Sequence, residues 1–557
     1  MKVYKYTFYF IPLLLCFFQY DLFAQTPNWI WARNTKSTGE DYISKTVTDK
    51  FGNIYIGGSF NSDSLKFDSF ILRNSSRNNM FLVKLNPTGG VVWTQSVPKA
   101  FFKDMCIDSL GNIYTTGIFM ATTITLGEIN ITSNDSTLDT FIAKFDTEGK
   151  ALWAKLISDS QNAHLVATNI AVDNLQNIAI AGAFWGGPVV FVGDTLFPTS
   201  PTYDAIFIAK CNAEGVVEWA YSPKEGSTND DYPNNINFDS QSNIYISSYY
   251  SSPTLIFEND TLRSVSRDTV NSFFVKYNSS GKVLWTKSAG NIFPSYNNPE
   301  FTVDLHDNTT IILTSRNPII IFGKDTLFNP GRSSIINKFN SFGKLLFSVP
   351  VSKSYNVTAK EIQTDYNGNT YTIGNFFGDS AAIGNTTIYN SGDRKNLELF
   401  ISKYNEMGEM IWVKSFGGFG TEYCSSFTTD QYGNLIIAGT FQPPSIRFDN
   451  IILNSNIDHD DLFIAKLGTN PTSVQDEVIT QDNINIFPNP AKSTFHISGL
   501  EAGNCNITIY SLTGEKIYES LLKDSQTIDL SGKAKGTYIY QLQKEGEVLK
   551  TGKLIVE

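Results

Sequence analysis

The sequence predicts an all-β protein: a seven-bladed β-propeller closed by an N-terminal strand, followed by a small C-terminal β-sandwich. Three observations predict it. A phrase of the form DxxGN returns seven times at intervals of 59 to 66 residues. A Trp-bearing segment at the N-terminus supplies what the last copy lacks, and the final stretch breaks into short β-branched runs separated by Gly and Pro.

In chain order the first element is a leader. Lys2 and Lys5 precede an apolar run over 6–18, and Leu22, Phe23 and Ala24 make a small-residue exit. Gln19 and Asp21 stop the run short of the roughly 20 apolar residues that a membrane span needs. Residues 1–24 therefore read as a signal peptide. Lipidation at Cys16 is disfavoured by Leu15 before it and by Phe17 and Phe18 after it. No other segment reads as a transmembrane helix. Export permits disulfides, but Cys106, Cys211, Cys424 and Cys505 are scattered singly and read as small buried hydrophobes.

The repeat array spans 25–468. Its first phrase begins at Asp49, Asp108, Asp173, Asp239, Asp304, Asp365 and Asp430, and a second, FIAKxxxxGxxxW-like phrase carries Trp93, Trp153, Trp219, Trp285, Phe347 and Trp412 in the first six copies. The seventh copy stops at FIAKLG, and NWIWARN, with Trp31, completes it from the other end of the chain. Strand exchange of this kind closes a ring of four-stranded sheets without an exposed edge, whereas a solenoid would need caps. Asp or Asn first and Gly fourth suit type I turns, which predicts tight A to B and C to D hairpins on one face. The long B to C and D to A connections then gather on the other face, where binding is expected. Runs such as NIYIGG and NIAIAG do not alternate, as expected of sheets covered on both faces. These repeats resemble the SBBP-type units of secreted bacterial propellers, with copy five carrying Asp307-Asn308 in place of Gly-Asn and Phe347 in place of Trp.

A polar linker over 469–482 leads to the sandwich at 483–557. This segment resembles the type A C-terminal sorting domain of the type IX secretion system, through FPNPA with Phe487, Pro488, Asn489 and Pro490, YSLTGEK with Gly514, GTYIYQL with Gly536 and Tyr538, and the terminal KLIV with Lys553. The resemblance implies handling by that secretion machinery, passage through the periplasm, and a secreted or cell-surface address.

Composition bounds the partners. With 43 Lys and Arg against 54 Asp and Glu the net charge is -11, which opposes nucleic-acid binding. Charged residues are 17% of the chain, below the roughly 25% of an average domain, and hydrophobic residues are 41%, enough for a folded core. The recurrent Lys84, Lys144, Lys210, Lys276, Lys338, Lys403 and Lys466 read as packing residues that snorkel, and the recurrent Trp as interblade filling. Four residues before each DxxGN Asp stand Lys45, Asp104, Asn169, Asn235, Glu300, Glu361 and Ser426, a polar ring expected to line the central channel as solvated wall or as a small-ligand or cation site. No cofactor is expected. Calcium is the one metal considered, from Asp41, Asp231 and Glu422 and from Asp458, Asp460 and Asp461 around His459. The DTL triplets at Asp194, Asp260 and Asp325 are turn residues or O-glycosylation acceptors. There is no supported nucleophile and base pair, no HExxH and no phosphate loop, and His164 and His306 fall in different copies. The chain thus reads as a secreted or cell-surface protein that binds a glycan, peptide or protein through its variable face. A secreted lyase or hydrolase with a site on that face is the alternative.

Overall fold

Every regular element is a strand, and no helix occurs among the described residues. The computed structural model describes residues 26–468 except 36–38, 40, 77, 135–137, 158–162, 192–193, 199–201, 226–231, 265–269, 293–298, 393–394, 443 and 456–458. It also describes 485–556 except 488–490, 493, 499–504, 512–514, 523–525 and 545–546. The leader over 1–24, the linker over 469–482, and Pro488, Asn489, Pro490 and Gly514 therefore lie outside the described residues. The chain divides into two units, Met1–Thr469 and Asn470–Glu557.

Each copy of the repeat forms a four-stranded antiparallel meander, its strands here lettered A to D. In the first copy these are Asp41–Thr48, Ile54–Phe60, Asn79–Leu85 and Val91–Pro98. In this copy strands B and C are buried at every position, which is why their sequences do not alternate. The last copy is assembled from both ends of the array, in the order Asn28–Asn34, Asp461–Gly468, Leu435–Phe441, Glu422–Thr429. Trp29 stands opposite Leu467 and Asn34 opposite Phe463. The A strands of the first and last copies also touch, the Thr46 amide donating to Ser426 Oγ at 3.0 Å. Copy five departs, as its sequence does: strand A is only Phe301–Val303.

The DxxGN phrase builds the A to B turn. Asp49 Oδ1 accepts from the amides of Phe51 and Asn53 at 2.8 and 2.9 Å, and Asn53 Nδ2 donates to Asp49 Oδ2. Asp430, Tyr432 and Asn434 repeat this pattern in the last copy. The fourth turn residue lies in the left-handed region, at φ +80° for Gly52 and +77° for Gly433, and the same backbone is imposed on Gln176, Ser242 and Asp307 at +65°, +60° and +60°.

The recurrent Trp and Lys join neighbouring copies. The indole of Trp93 donates to the Thr147 carbonyl at 3.1 Å and its ring lies against Gly149 of the next C to D turn, where a Cβ would come within 3.0 Å. Trp219 reaches Ser279, and Trp285 reaches Ser341, in the same way. The lysines do not snorkel to water as expected. Lys276, Lys338 and Lys466 are buried and pair with Asp239, Asp304 and Asp430 at 2.9, 2.9 and 3.0 Å. Lys144, Lys276 and Lys403 also lie over the rings of Tyr114, Tyr245 and Tyr371. In these copies the same Asp that shapes the turn is thus the counter-ion that lets the Lys be buried, whereas Lys210 pairs with Glu218 and Lys84 donates to the Thr147 carbonyl.

The B to C connections are less open than the sequence suggested. Each carries a two-stranded hairpin, Ser64–Phe67 with Phe70–Arg73 in the first copy and Ser445–Phe448 with Ile451–Asn454 in the last. These hairpins run beside strand D of the preceding copy: Asp68 pairs with Arg33 at 3.0 Å and Asp449 with Lys414 at 2.7 Å. The DTL triplets open the second hairpin strand, in Asp194–Leu196, Asp260–Arg263 and Asp325–Phe328, so they are not loop residues.

The tail has two sheets. One contains Asn485–Phe487, Thr494–Ser498 and Gln526–Asp529, the other Lys516–Leu522, Cys505–Ser511, Gly536–Lys544 and Glu547–Val556. Phe495, Ile497, Ile507, Ile509, Leu542 and Leu554 close the space between them. Gly536 and Lys553 fall on the paired strands of the second sheet, and the buried Tyr538 donates its hydroxyl to the Ala534 carbonyl.

Candidate functional site

A one-residue bulge in strand A sets where the polar ring points. The register shifts between Ile43 and Lys45, and it does so again just before Asp104, Asn169, Asn235, Glu361 and Ser426. Such a bulge bends the strand and re-aims the side chains beside it. The ring residues consequently reach across to the next copy. Asp104 Oδ2 accepts from the Ile170 amide at 3.0 Å, Glu361 Oε2 from the Phe427 amide at 3.2 Å, and Ser426 Oγ from Thr46. Asn235 Nδ2 donates to Glu300 Oε2 at 2.7 Å and to the Phe301 carbonyl at 3.0 Å, and Asn169 Nδ2 to the Asn234 carbonyl at 2.7 Å.

Four of the seven ring residues carry charge and feel one another. Lys45 pairs with Asp104 at 3.5 Å, and the Asp104 carboxylate holds the Lys45 ammonium above its ordinary range. Burial raises the Asp104 carboxyl although Lys45 opposes it. Burial lifts Glu300 to about 7, and burial with the Glu300 charge lifts Glu361 to about 8. Asp104 and Ser426 are buried and the other five half-buried.

A second constellation sits at the sheet ends remote from the A to B turns, where Val357 pairs with Phe376 in copy six. A cavity of about 570 Å³ is lined there by Arg316, Arg332, Tyr355, Lys360, Phe377 and Tyr423, among others. A second cavity, of about 670 Å³, shares Arg332, Tyr355, Asn356 and Phe377 and adds Lys353. Both fall within the 300–1,000 Å³ range usual for ligand pockets. Lys360 is the bulge residue beside Glu361, so one irregularity sends the carboxyl to the ring and the ammonium to the cavity. Its Nζ lies 5.2 Å from the Tyr423 ring centre.

The remaining predicted residues do not converge. Asp41 is tied to the Asn61 and Ser62 amides, and Asp231 and Asp458 lie outside the described residues. Among the described residues no group of three His, Cys, Asp or Glu is placed to hold a metal ion. His164 stacks on Trp185, and Cys106, Cys211, Cys424 and Cys505 are free thiols. Sequence reasoning named Glu422 as a calcium candidate but missed Glu398, with which it forms a buried carboxyl pair. Glu398 and Glu422 are 1% and 0% exposed and converge on Gly417, where a Cβ would lie 2.6 Å from Glu398 Oε2 and 3.0 Å from Glu422 Oε2. Burial raises Glu398 to about 7, and burial with the Glu398 charge raises Glu422 to about 8.

Residues 485–557 match the family of secretion system C-terminal sorting domains. The tail is a sorting domain. It indicates handling by type IX secretion and export to the cell surface or beyond. The chain is 26% identical over 374 residues to an uncharacterized WD repeat-containing protein of Acanthamoeba polyphaga mimivirus, covering 55% of this chain but only 27% of that protein. Among solved structures it is similar to the Dos1 propeller, at 7% identity and a TM-score of 0.39 over 79% of this chain and 95% of that one. A protein of unknown function from Dyadobacter fermentans is similar at 9% identity and a TM-score of 0.34, over 67% of this chain and 95% of that one. No helix of the described residues is long and apolar enough to cross a membrane.

Proposed function

We propose that the chain is an exported binding protein. Residues 25–468 form a seven-bladed β-propeller of the SBBP type, closed by the strand Asn28–Asn34. A signal peptide over 1–24 takes the chain to the periplasm, and the sorting domain then delivers the propeller across the outer membrane, with the 469–482 linker between them. The pairing of Asn28–Asn34 with Asp461–Gly468, and the contact of first and last A strands, support closure.

The ring residues act as connectors between blades: six of them bond to the next copy, and Glu300 accepts from Asn234 and Asn235 of the preceding one. Recognition of a glycan, peptide or protein is assigned instead to the loop-rich face. The observation that carries this is the pair of cavities meeting at Arg332, Tyr355, Asn356 and Phe377. The test is a glycan and peptide array probed with the purified chain. Capture that is lost when Tyr355 and Phe377 are replaced by Ala supports the reading. Capture of nothing, or capture indifferent to those changes, contradicts it.

A further inference from the structure

We propose that the groove between copies five, six and seven binds an anionic saccharide, a sugar carrying carboxylate or sulfate groups. This deepens the binding reading above and rests on it. Tyr355 and Phe377 supply the face on which the sugar ring stacks, and Arg332, Arg316 and Lys360 hold its charge.

In a chain of net charge -11 the two cavities gather Arg316, Arg332, Lys353 and Lys360. None of the ion pairs among the described residues involves Arg332, Lys353 or Lys360. Guanidinium groups bind carboxylate and sulfate-like oxyanions through paired, charge-assisted hydrogen bonds.

The groove is also built in advance. Arg332 is held at φ +51°, a conformation disfavoured for an arginine, with its amide donating to the Asn329 carbonyl at 3.1 Å. Asn329 is fully buried and donates to the Ser315 and Ser333 carbonyls, which pins the segment that carries Arg332. Gly331 lies so close to Ser352 that a Cβ would stand 2.0 Å from its carbonyl oxygen. Asn356 Nδ2 donates to the carbonyls of Phe377 and Ser380, fixing the aromatic pair on either side of it. Ordering of this kind lowers the entropy lost on binding.

The remaining lining suits a sugar. Tyr355 and Phe377 are 75% and 43% exposed with ring centres 6.1 Å apart and planes inclined at 61°, two open aromatic surfaces against which an apolar sugar face can pack. Asn375 lines the cavity, is 3% exposed, and leaves Oδ1 without a hydrogen-bond partner while Nδ2 donates to the Glu422 carbonyl.

The experiment is calorimetric titration of the purified full chain with three probes: an oligogalacturonate, its fully methyl-esterified neutral form, and a sulfated heparin oligosaccharide. The expected result is binding of one or both anionic probes, weakened by salt and by esterification, and weakened about tenfold or more by Arg332→Gln and by Tyr355→Ala. Both substitutions are at solvent-facing positions, and an unchanged melting temperature shows that the fold is intact. Tighter binding of the uronate or of the sulfate tells which anion is preferred. Equal binding of the neutral ester, indifference to both substitutions, or no binding of either anionic probe overturns the proposal. The same variants are run on the glycan and peptide array. A neutral-glycan or peptide ligand captured there overturns this proposal while sparing the binding reading, and a phosphopeptide whose capture needs Arg332 reassigns the groove to a protein partner. Capture of nothing removes both.

Discussion

The indole of Trp31, on the N-terminal strand, donates to the Pro87 carbonyl at 3.3 Å, and its ring lies against Gly89 of the first copy. Trp93, Trp219 and Trp285 make the same contact to the next C to D turn. The joint between the two ends of the array is therefore built like the joints inside it. Trp31→Ala should destabilise the array by about 2 kcal/mol, from lost burial and an orphaned carbonyl. Chemical denaturation of the purified chain measures this. An unchanged unfolding midpoint would mean that the joint contributes nothing.

Asp430 is fully buried, caps its turn, and faces Lys466 at 3.0 Å. Asp430→Ala should cost about 3–5 kcal/mol, because it strands a buried ammonium as well as removing the cap. Pairing Asp430→Ala with Lys466→Met should cost less than the two single changes added together. A double-mutant cycle with no coupling would contradict the shared role of this Asp.

Ser242 occupies a left-handed turn position that Gly fills in other copies. Ser242→Gly should stabilise the chain by about 0.5–1 kcal/mol. Gln176 sits at the equivalent position, but its side chain accepts from Lys144 Nζ at 2.7 Å, so Gln176→Gly should bring no such gain. Thermal melts of the two variants separate strain from side-chain bonding.

Glu398 and Glu422 hold their protons more tightly when folded, at about 7 and about 8, than an unfolded Glu does. The folded state therefore binds more protons than the unfolded state above about pH 4.5, and stability should fall as pH rises through that window to about 8. Glu300 and Glu361 act in the same direction. Glu422→Gln should flatten the decline in melting temperature between about pH 5 and about pH 9. A decline equally steep in the variant would show that this pair does not carry it.

What recurs was readable from the sequence, and what occurs once was not. The seven Asp turns and the Trp strands stand out because each is repeated at a fixed spacing, and NWIWARN was recognisable as the missing half of a copy. The hairpins in the B to C connections went unread although Asp68, Gly127, Glu258, Gly323, Gly384 and Asp449 all adopt positive φ where they turn. Their residue types differ from copy to copy, so alignment of the copies hid a shared geometry. The Lys was misread because its partner Asp had already been assigned to the turn. Arg332, Tyr355, Lys360 and Tyr423 come from three copies; Lys103 stands where Lys360 does, and Tyr42 and Tyr232 where Tyr423 does, so no single position marks the site and only folding brings the four together.

The export role of the tail is tested most directly by protease accessibility on intact cells of a host with type IX secretion. The parent propeller should be digested by external protease, showing that it has reached the surface or the medium. A chain lacking residues 485–557 should remain folded and protected in the periplasm. A truncated chain that is equally accessible outside the cell would contradict the account.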